Sequence, residues 1–258
     1  MRYMTLGLLT LLSCATAHAE VVTKSVPYKQ GDVQLEGYLA YDDSVTGKRP
    51  GVLIVHEWWG LNDYAKSRAR ELAGMGYVAF ALDMYGKGVV AKDRQEAAKM
   101  SSEIKGSPLV RTRSQTRLDI LAKQELVDPD RIAAIGYCFG GTTVLELAYS
   151  GADLAGIVSF HGGLVPPRDE DKKIKAKILA LHGAIDPFVP PDAVVAFEKG
   201  VQKAGLDWQL VAYGDAVHTF TNPAAGTDKS AGAAYDEAAA QRSWQHMRLF
   251  FDEIFANK

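Results

Sequence analysis

Two patterns of apolar positions follow one another along the chain, and they predict different kinds of strand. Near the start, apolar and polar residues alternate over Val21–Tyr28 and again over Val33–Tyr41, with a Gln-Gly-Asp turn between them. Alternation with a period of two is typical of strands that have one covered face. These two segments therefore predict an antiparallel hairpin.

The rest of the chain contains short runs in which every residue is apolar or small. Continuous runs of this kind are typical of strands that are covered on both faces, as in a mainly parallel sheet. The runs lie at 52–55, 78–82, 132–135, 157–160, 178–181 and 210–213.

Between these runs, apolar residues recur every three or four positions, which predicts amphipathic helices. The stripes lie at 65–73, 118–122, 138–149, 193–201 and 244–255. Strands that alternate with helices predict a doubly wound α/β fold, here with an antiparallel N-terminal edge. No internal repeat or linker divides residues 20–258, so we expect them to form a single domain.

The first 19 residues have a different character. Arg2, a short apolar run over Met4–Leu12 and the small-residue signal Ala17-His18-Ala19 have the layout of a secretory signal peptide that is cleaved after Ala19. The apolar run is shorter than the roughly 20 residues that a transmembrane helix needs. We therefore expect an exported protein, periplasmic or secreted, and no transmembrane segment. A lipoprotein signal with lipidation at Cys14 is the alternative.

Composition and charge exclude several classes of function. The chain has 258 residues, of which 47% are hydrophobic, and its 29 basic and 31 acidic residues leave a net charge of −2. No concentration of positive charge is available for phosphates, so we expect no nucleic-acid partner. Two cysteines are too few for a disulfide scaffold or a Cys-rich zinc site, and no histidine pair has metalloprotease spacing. We expect neither a metal nor a cofactor.

Cys138 lies in the segment that carries most information about function, Gly136-Tyr137-Cys138-Phe139-Gly140-Gly141. The segment follows an apolar strand and opens a predicted helix, which is the context of a nucleophile elbow with cysteine in place of serine. A helix N-terminus favours the thiolate. A buried packing cysteine at a Gly-rich junction is the alternative interpretation of this motif alone.

Two further groups have the right position in the chain to act with Cys138. Asp186 follows the apolar run 178–181, and His218 follows the run 210–213. Cysteine, aspartate and histidine thus follow the carboxyl ends of three predicted strands, in the chain order of α/β-hydrolases, and ligands of open α/β sheets bind at this edge.

This order of groups predicts a reaction. A thiolate at Cys138 attacks an ester or lactone carbonyl, His218 acts as base and then as acid, and Asp186 orients the imidazole. The oxyanion that forms needs backbone donors, for which we predict the amides of Trp58 and Phe139.

The sequence resembles the dienelactone hydrolases (carboxymethylenebutenolidases), a family of the α/β-hydrolase superfamily, over nearly all of residues 20–258. The resemblance rests on His56–Gly60, Asp83–Gly86, Gly136–Gly141, Ser159–Gly163, His182–Pro187 and His218–Phe220. It implies an α/β-hydrolase domain, a small ester or lactone substrate, and Cys138, His218 and Asp186 as the catalytic triad. It also implies that Glu57 contacts the resting thiol and helps control when the thiolate forms.

The sequence departs from this family where the substrate binds. Two family arginines hold the substrate carboxylate, and the regions that we match to them contain Lys87 and Asn222. Lys87 offers a point charge without a bidentate fork, and Asn222 is neutral, which argues against dienelactone itself as the substrate. We expect Lys87 and Asn222 to contact the substrate, and Trp59 and Tyr85 to line the acyl pocket; core packing is the alternative for both aromatic residues.

Two other classes of function use some of the same features. A thiol redox or peroxide-reactive protein also needs one activated cysteine, but it does not need Asp186 and His218 in hydrolase order. A non-catalytic binding protein on a hydrolase scaffold needs none of the three groups to react.

Overall fold

The computed structural model describes residues 20–171 and 173–256, and within them eight strands form one sheet. The predicted leader, residues 1–19 with Cys14, lies outside the described residues. The strands are β1 (Val21–Gln30), β2 (Val33–Asp42), β3 (Arg49–Val55), β4 (Val78–Leu82), β5 (Val127–Tyr137), β6 (Gly156–Phe160), β7 (Lys177–Gly183) and β8 (Trp208–Tyr213). Their order across the sheet is β1-β2-β4-β3-β5-β6-β7-β8.

Strand direction in the sheet changes at its N-terminal edge. β1 and β2 pair as an antiparallel hairpin from Val21 opposite Asp42 to Gln30 opposite Val33, and β2 is also antiparallel to β4. The other neighbours, from β4 through β3 to β8, pair in parallel. The predicted mainly parallel sheet with an antiparallel N-terminal edge is confirmed.

Helices cover both faces of the sheet. They are α1 (Asp63–Gly74), α2 (Arg94–Lys105), α3 (Leu109–Ala122), α4 (Phe139–Tyr149), α5 (Pro191–Lys203) and α6 (Glu237–Ala256). Successive residues of β3 alternate between two apolar layers: Leu53 and Val55 pack with residues from α2 to α5, and Val52 and Ile54 pack with residues from α1 and α6. Among the described residues, no helix combines the length and apolar character needed to span a bilayer.

Two elements differ from the pattern of apolar positions because their buried faces are small or polar. The sequence did not predict α2, which buries only Ala97, Ser101 and Ile104. Helix α3 begins at Leu109, well before the predicted stripe, because its buried face includes Arg113 and Arg117. A capping signal for α2 was present at Asp93-Arg94-Gln95-Glu96: the Asp93 side chain accepts a hydrogen bond from the Glu96 amide at 2.8 Å.

The junction between β5 and α4 brings the helix directly onto the end of β3. Cys138 lies between the two elements with φ of 51°, a left-handed conformation that non-glycine residues rarely adopt. A Cβ atom at Gly140 would collide with the backbone carbonyl of Val55, and one at Gly136 would collide with the carbonyl of Gly140. The two glycines are required because backbone occupies the space that a side chain would need.

We predict that Gly140→Ala destabilises the protein, because the added methyl group meets backbone that cannot rotate away. The loss in the free energy of unfolding should be about 1–3 kcal/mol, measured by urea denaturation. Gly74→Ala is the matched control, since nothing lies within 4 Å of a Cβ there and alanine is the better helix former. Equal stability of the two variants would contradict the close contact of α4 with β3.

Candidate active site

Cys138 lies half-buried at the carboxyl edge of the sheet, and its backbone amide is hydrogen-bonded. The amide donates to the carbonyl of Phe160 at 3.0 Å and lies 3.1 Å from Nδ1 of His161. Among the residues that the structure describes, the one cysteine is Cys138, and it is a free thiol. The elbow therefore presents the thiol at the N-terminus of α4, where the helix dipole favours a negative charge.

Asp186 and His218 meet beside this thiol. Asp186 follows β7 in a turn in which its amide donates to the carbonyl of Gly183 at 3.0 Å, and its Oδ2 accepts from Nδ1 of His218 at 2.7 Å. Its other oxygen accepts from the amide of Phe188 at 2.8 Å. Both carboxylate oxygens are thus occupied, so Asp186 holds the imidazole in one tautomer with Nε2 free to face the thiol.

The backbone of His218 is held by the small-residue segment 224–234. The amide of His218 donates to the carbonyl of Gly232 at 3.1 Å, and its own carbonyl accepts from the amide of Ala234 at 3.0 Å. Small residues of this kind are typical of a loop. The structure places two short 3-10 turns in this region, Pro223–Ala225 and Lys229–Ala231, and a bridge between His218 and Ala233.

Charge on both sides of the imidazole determines how His218 titrates. Burial disfavours the imidazolium, but the negative charge of a Cys138 thiolate and the hydrogen bonds with Asp186 and Cys138 outweigh it and raise the pKa of His218 to about 10. Negative charge at Cys138 and Asp186 therefore favours the imidazolium form of His218.

Glu57 lies buried in the loop between β3 and α1, with 2% of its surface exposed. Its Oε2 accepts a hydrogen bond from the side-chain amide of Asn222 at 2.7 Å. Burial raises the pKa of Glu57 from its ordinary value of 4.5 to about 7, against the opposing effects of the Asn222 hydrogen bond and of positive charge on His218 and Arg68. The partner that the structure gives Glu57 is Asn222, and contact with the thiol stays a prediction.

The same loop fixes the direction of the Trp58 amide. The carbonyl of Glu57 accepts from Nδ1 of His56 at 2.5 Å and from the amide of Gly60 at 3.3 Å. Since carbonyl and amide point in opposite directions in a trans peptide, holding this carbonyl aims the Trp58 N–H the other way. The amide of Phe139, at the first position of α4, has no carbonyl one turn earlier to bind.

His161 and Thr221 form a second layer behind the nucleophile, which the sequence did not assign to the site. Because the Cys138 amide can only donate, Nδ1 of His161 is the acceptor, and the proton on Nε2 points to the Thr221 hydroxyl at 2.8 Å. That hydroxyl lies 2.6 Å from the Tyr64 hydroxyl. Burial, with the charge of His218, holds the pKa of His161 well below its usual value, so its imidazole is neutral.

A cavity of about 560 Å³ opens over the thiol. Its wall contains five predicted site residues: Trp58, Trp59, Cys138, His218 and Asn222. It also contains Arg94 and Lys105 at the two ends of α2, which the sequence analysis missed together with the helix.

Two predicted substrate contacts lie outside this wall. Lys87 pairs with Glu36 on β2 at 2.8 Å. Tyr85 packs behind the site against the rings of His56 and Phe139, and its hydroxyl donates to the carbonyl of Trp58 at 3.0 Å. In residues 20–171 and 173–256, no group of three His, Cys, Asp or Glu side chains is arranged to hold a metal ion.

Comparison with known proteins places this architecture in a family. The sequence profile of the dienelactone hydrolase family matches residues 35–255. The chain belongs to the dienelactone hydrolase family. Members share the α/β-hydrolase fold, and membership assigns the chain to the carboxylic ester hydrolases, which act on small molecules.

Individual relatives support this assignment. A solved structure named m3DLH is 43% identical, covers 91% of this chain and 98% of its own, and superimposes with a TM-score of 0.87. A dienelactone hydrolase-like promiscuous phosphotriesterase from metagenomic libraries is 40% identical, with coverage of 92% and 99% and a TM-score of 0.87. Protein usf of Aquifex pyrophilus is 28% identical over 234 residues, 88% of this chain and 97% of its own.

Within this dienelactone hydrolase site, Glu57 should make stability depend on pH. Its folded-state pKa is raised, so the neutral form is favoured in the folded protein, and wild-type stability falls as pH rises from about 4.5 through about 7. Glu57→Gln removes the ionisation and keeps an acceptor for Asn222. We expect this variant to match wild type below pH 4.5 and to exceed it increasingly up to pH 8, measured by urea unfolding.

The matched control is Glu103→Gln, which makes the same change of side chain on the exposed face of α2. A flat difference for Glu57→Gln would show that Glu57 titrates at its ordinary value in the folded protein.

Proposed function

We propose that the protein hydrolyses small esters or lactones through an acyl-enzyme on Cys138. The observation that carries this proposal is the arrangement at the sheet edge: Asp186 binds Nδ1 of His218 at 2.7 Å, and His218 and Cys138 line the same cavity. Membership in a family of ester hydrolases supports the same reaction.

In the first half of this reaction, the Cys138 thiolate attacks the carbonyl carbon and a C–S bond forms while the carbonyl electron pair moves to oxygen. The amides of Trp58 and Phe139 stabilise the oxyanion. When the carbonyl re-forms, the C–O bond to the alcohol breaks, and the His218 imidazolium gives its proton to the departing oxygen.

In the second half, His218 takes a proton from water, and the resulting hydroxide attacks the thioester. The C–S bond then breaks, the acid is released, and Cys138 returns as a thiolate beside an imidazolium. Asp186 keeps the imidazole oriented and stabilises its positive charge in both halves. Glu57, whose pKa is raised to about 7, is the group that we propose to control when the thiolate forms.

The cavity wall supports a substrate that also carries a negative charge. Neither Arg94 nor Lys105 has a carboxylate partner among the ion pairs of the described residues, and Lys105 lies 5.9 Å from the centre of the Phe139 ring. Two unneutralised cations beside a thiol favour an ester or lactone with a carboxylate group. They supply the charge that Lys87, which is paired with Glu36, does not bring to the cavity.

A second candidate activity is phosphotriester hydrolysis, which the name of the 40% identical relative describes. The same thiolate would attack phosphorus, the alkoxide or aryloxide would leave with the His218 proton, and water would then cleave the S–P bond.

Export to the periplasm or outside the cell is proposed from the sequence of residues 1–19.

Cys138→Ala should reduce turnover of activated short-chain esters at least about 10³-fold, because the acyl-enzyme cannot form. The measurement is kcat/KM for p-nitrophenyl esters and for a p-nitrophenyl phosphotriester, with wild type as reference. Wild type should also be alkylated by iodoacetamide at Cys138 near neutral pH.

Each rival function gives a distinct result in this experiment. Wild-type turnover in Cys138→Ala would exclude the acyl-enzyme. Peroxide consumption without ester hydrolysis would favour a thiol redox protein. Resistance to iodoacetamide together with no turnover would favour a binding protein, and faster turnover of the phosphotriester would favour the second candidate.

The two cations should affect anionic substrates selectively. Arg94→Gln with Lys105→Gln should raise KM at least about 10-fold for an ester with a carboxylate in its acyl part, and should leave its neutral methyl analogue within about twofold. Lys99→Gln, an exposed change elsewhere on α2, is the matched control. An equal effect on both esters would contradict a charged substrate.

A further inference from the structure

A second groove adjoins the catalytic cavity, and nothing in the mechanism above uses it. It has a volume of about 460 Å³, is open to solvent, and is lined by Ile185, Pro187, Phe188, Val217 and residues 229–232. We call it the outer groove. Phe188 lines both the outer groove and the catalytic cavity, so its ring forms the boundary between them.

The outer groove is apolar where it meets solvent. Phe188 is 60% exposed and Ile185 is 55% exposed, although both are large hydrophobic side chains. Lys229, the charged residue of the groove wall, is neutralised: its ammonium binds the Asp236 carboxylate at 3.1 Å and the Asp215 carbonyl at 2.6 Å. An exposed apolar surface that is continuous with a reactive site is a feature of ligand grooves.

The position of Phe188 relative to His218 indicates which part of a substrate reaches the groove. The two rings are edge to face, with centroids 5.3 Å apart. His218 delivers its proton to the departing alcohol oxygen, which must therefore lie within hydrogen-bond reach of the imidazole. The apolar surface next to a chain attached to that oxygen is the ring of Phe188. Arg94 and Lys105, in contrast, lie on the wall of the catalytic cavity.

The groove floor is also tied to the base. Gly232, whose carbonyl accepts the hydrogen bond from the His218 amide, has no side chain, and a Cβ there would collide with Pro187. The segment that positions His218 thus lies against the Pro187–Phe188 turn without a side chain between them. The base and the groove are parts of one local structure.

We propose that the outer groove binds the apolar alcohol portion of an open-chain ester, while the acyl portion occupies the catalytic cavity. This inference rests on the proposed ester hydrolysis and assigns the two halves of the substrate to two sites. The alcohol leaves when the acyl-enzyme forms. The groove therefore affects the rate of acylation and has no part in hydrolysis of the acyl-enzyme.

The experiment compares methyl, butyl and hexyl esters of one acid. For wild type, kcat/KM should rise at least about 10-fold from methyl to hexyl, since each buried methylene favours binding. Ile185→Asp places a charge in the groove, on a side chain that is 55% exposed, and should remove most of this rise. Val195→Asp, an exposed change on α5 outside both cavities, is the matched control and should keep it.

Hydrolysis of the acyl-enzyme is the second readout, because all three esters form the same intermediate. Its rate should be equal in wild type and Ile185→Asp. Ester hydrolysis with no dependence on alcohol length, or equal selectivity in Ile185→Asp and wild type, would overturn the groove assignment and leave the proposed function standing.

Two further outcomes are distinguishable from these. If wild type hydrolysed neither an ester nor a lactone, the proposed function and the groove assignment would both fail. If Ile185→Asp altered the sedimentation coefficient with unchanged ester selectivity, the groove would be an interface between copies of this chain, and the alcohol site would be excluded.

Discussion

The site depends on the contact between the N-terminus of α4 and the carboxyl end of β3. Gly140 lies against the carbonyl of Val55, and a single residue, Cys138, makes the turn between β5 and α4 with positive φ. His161, which lies next to Cys138, and Thr219, which follows His218, also have positive φ. Such backbone costs about 1–3 kcal/mol per residue, so surrounding contacts must hold it in place.

Hydrogen bonds from buried side chains hold the backbone of the loops around the site. His56 holds the carbonyl of Glu57, Tyr85 holds the carbonyl of Trp58, and His161 accepts from the amide of Cys138. Burial lowers the pKa of both His56 and His161, which keeps them neutral and preserves these bonds. The buried imidazoles at this edge thus have two electrostatic roles: His56 and His161 stay neutral, while a thiolate and a carboxylate stabilise the charge of His218.

The residues that we propose for substrate selection lie on a different element from those that we propose for the reaction. The reacting groups stand on loops that follow β5, β7 and β8, and the cations of the cavity stand on α2. The sequence pattern located the first set because each group follows a strongly apolar strand. It missed the second set because α2 buries only three small or medium side chains, which leaves no apolar stripe to recognise.

The amino-acid sequence alone determined the alternation of strands and helices, the antiparallel edge, the elbow at Cys138, and the order of cysteine, aspartate and histidine, because local periodicity and glycine spacing encode these features. Only the tertiary structure decided which polar groups meet. Asn222 forms a hydrogen bond with Glu57, 165 residues earlier in the chain. Lys87 forms an ion pair with Glu36, and Arg94 lines the catalytic cavity. Pairings of this kind depend on how helices and loops pack at one edge of the sheet, which no local pattern records.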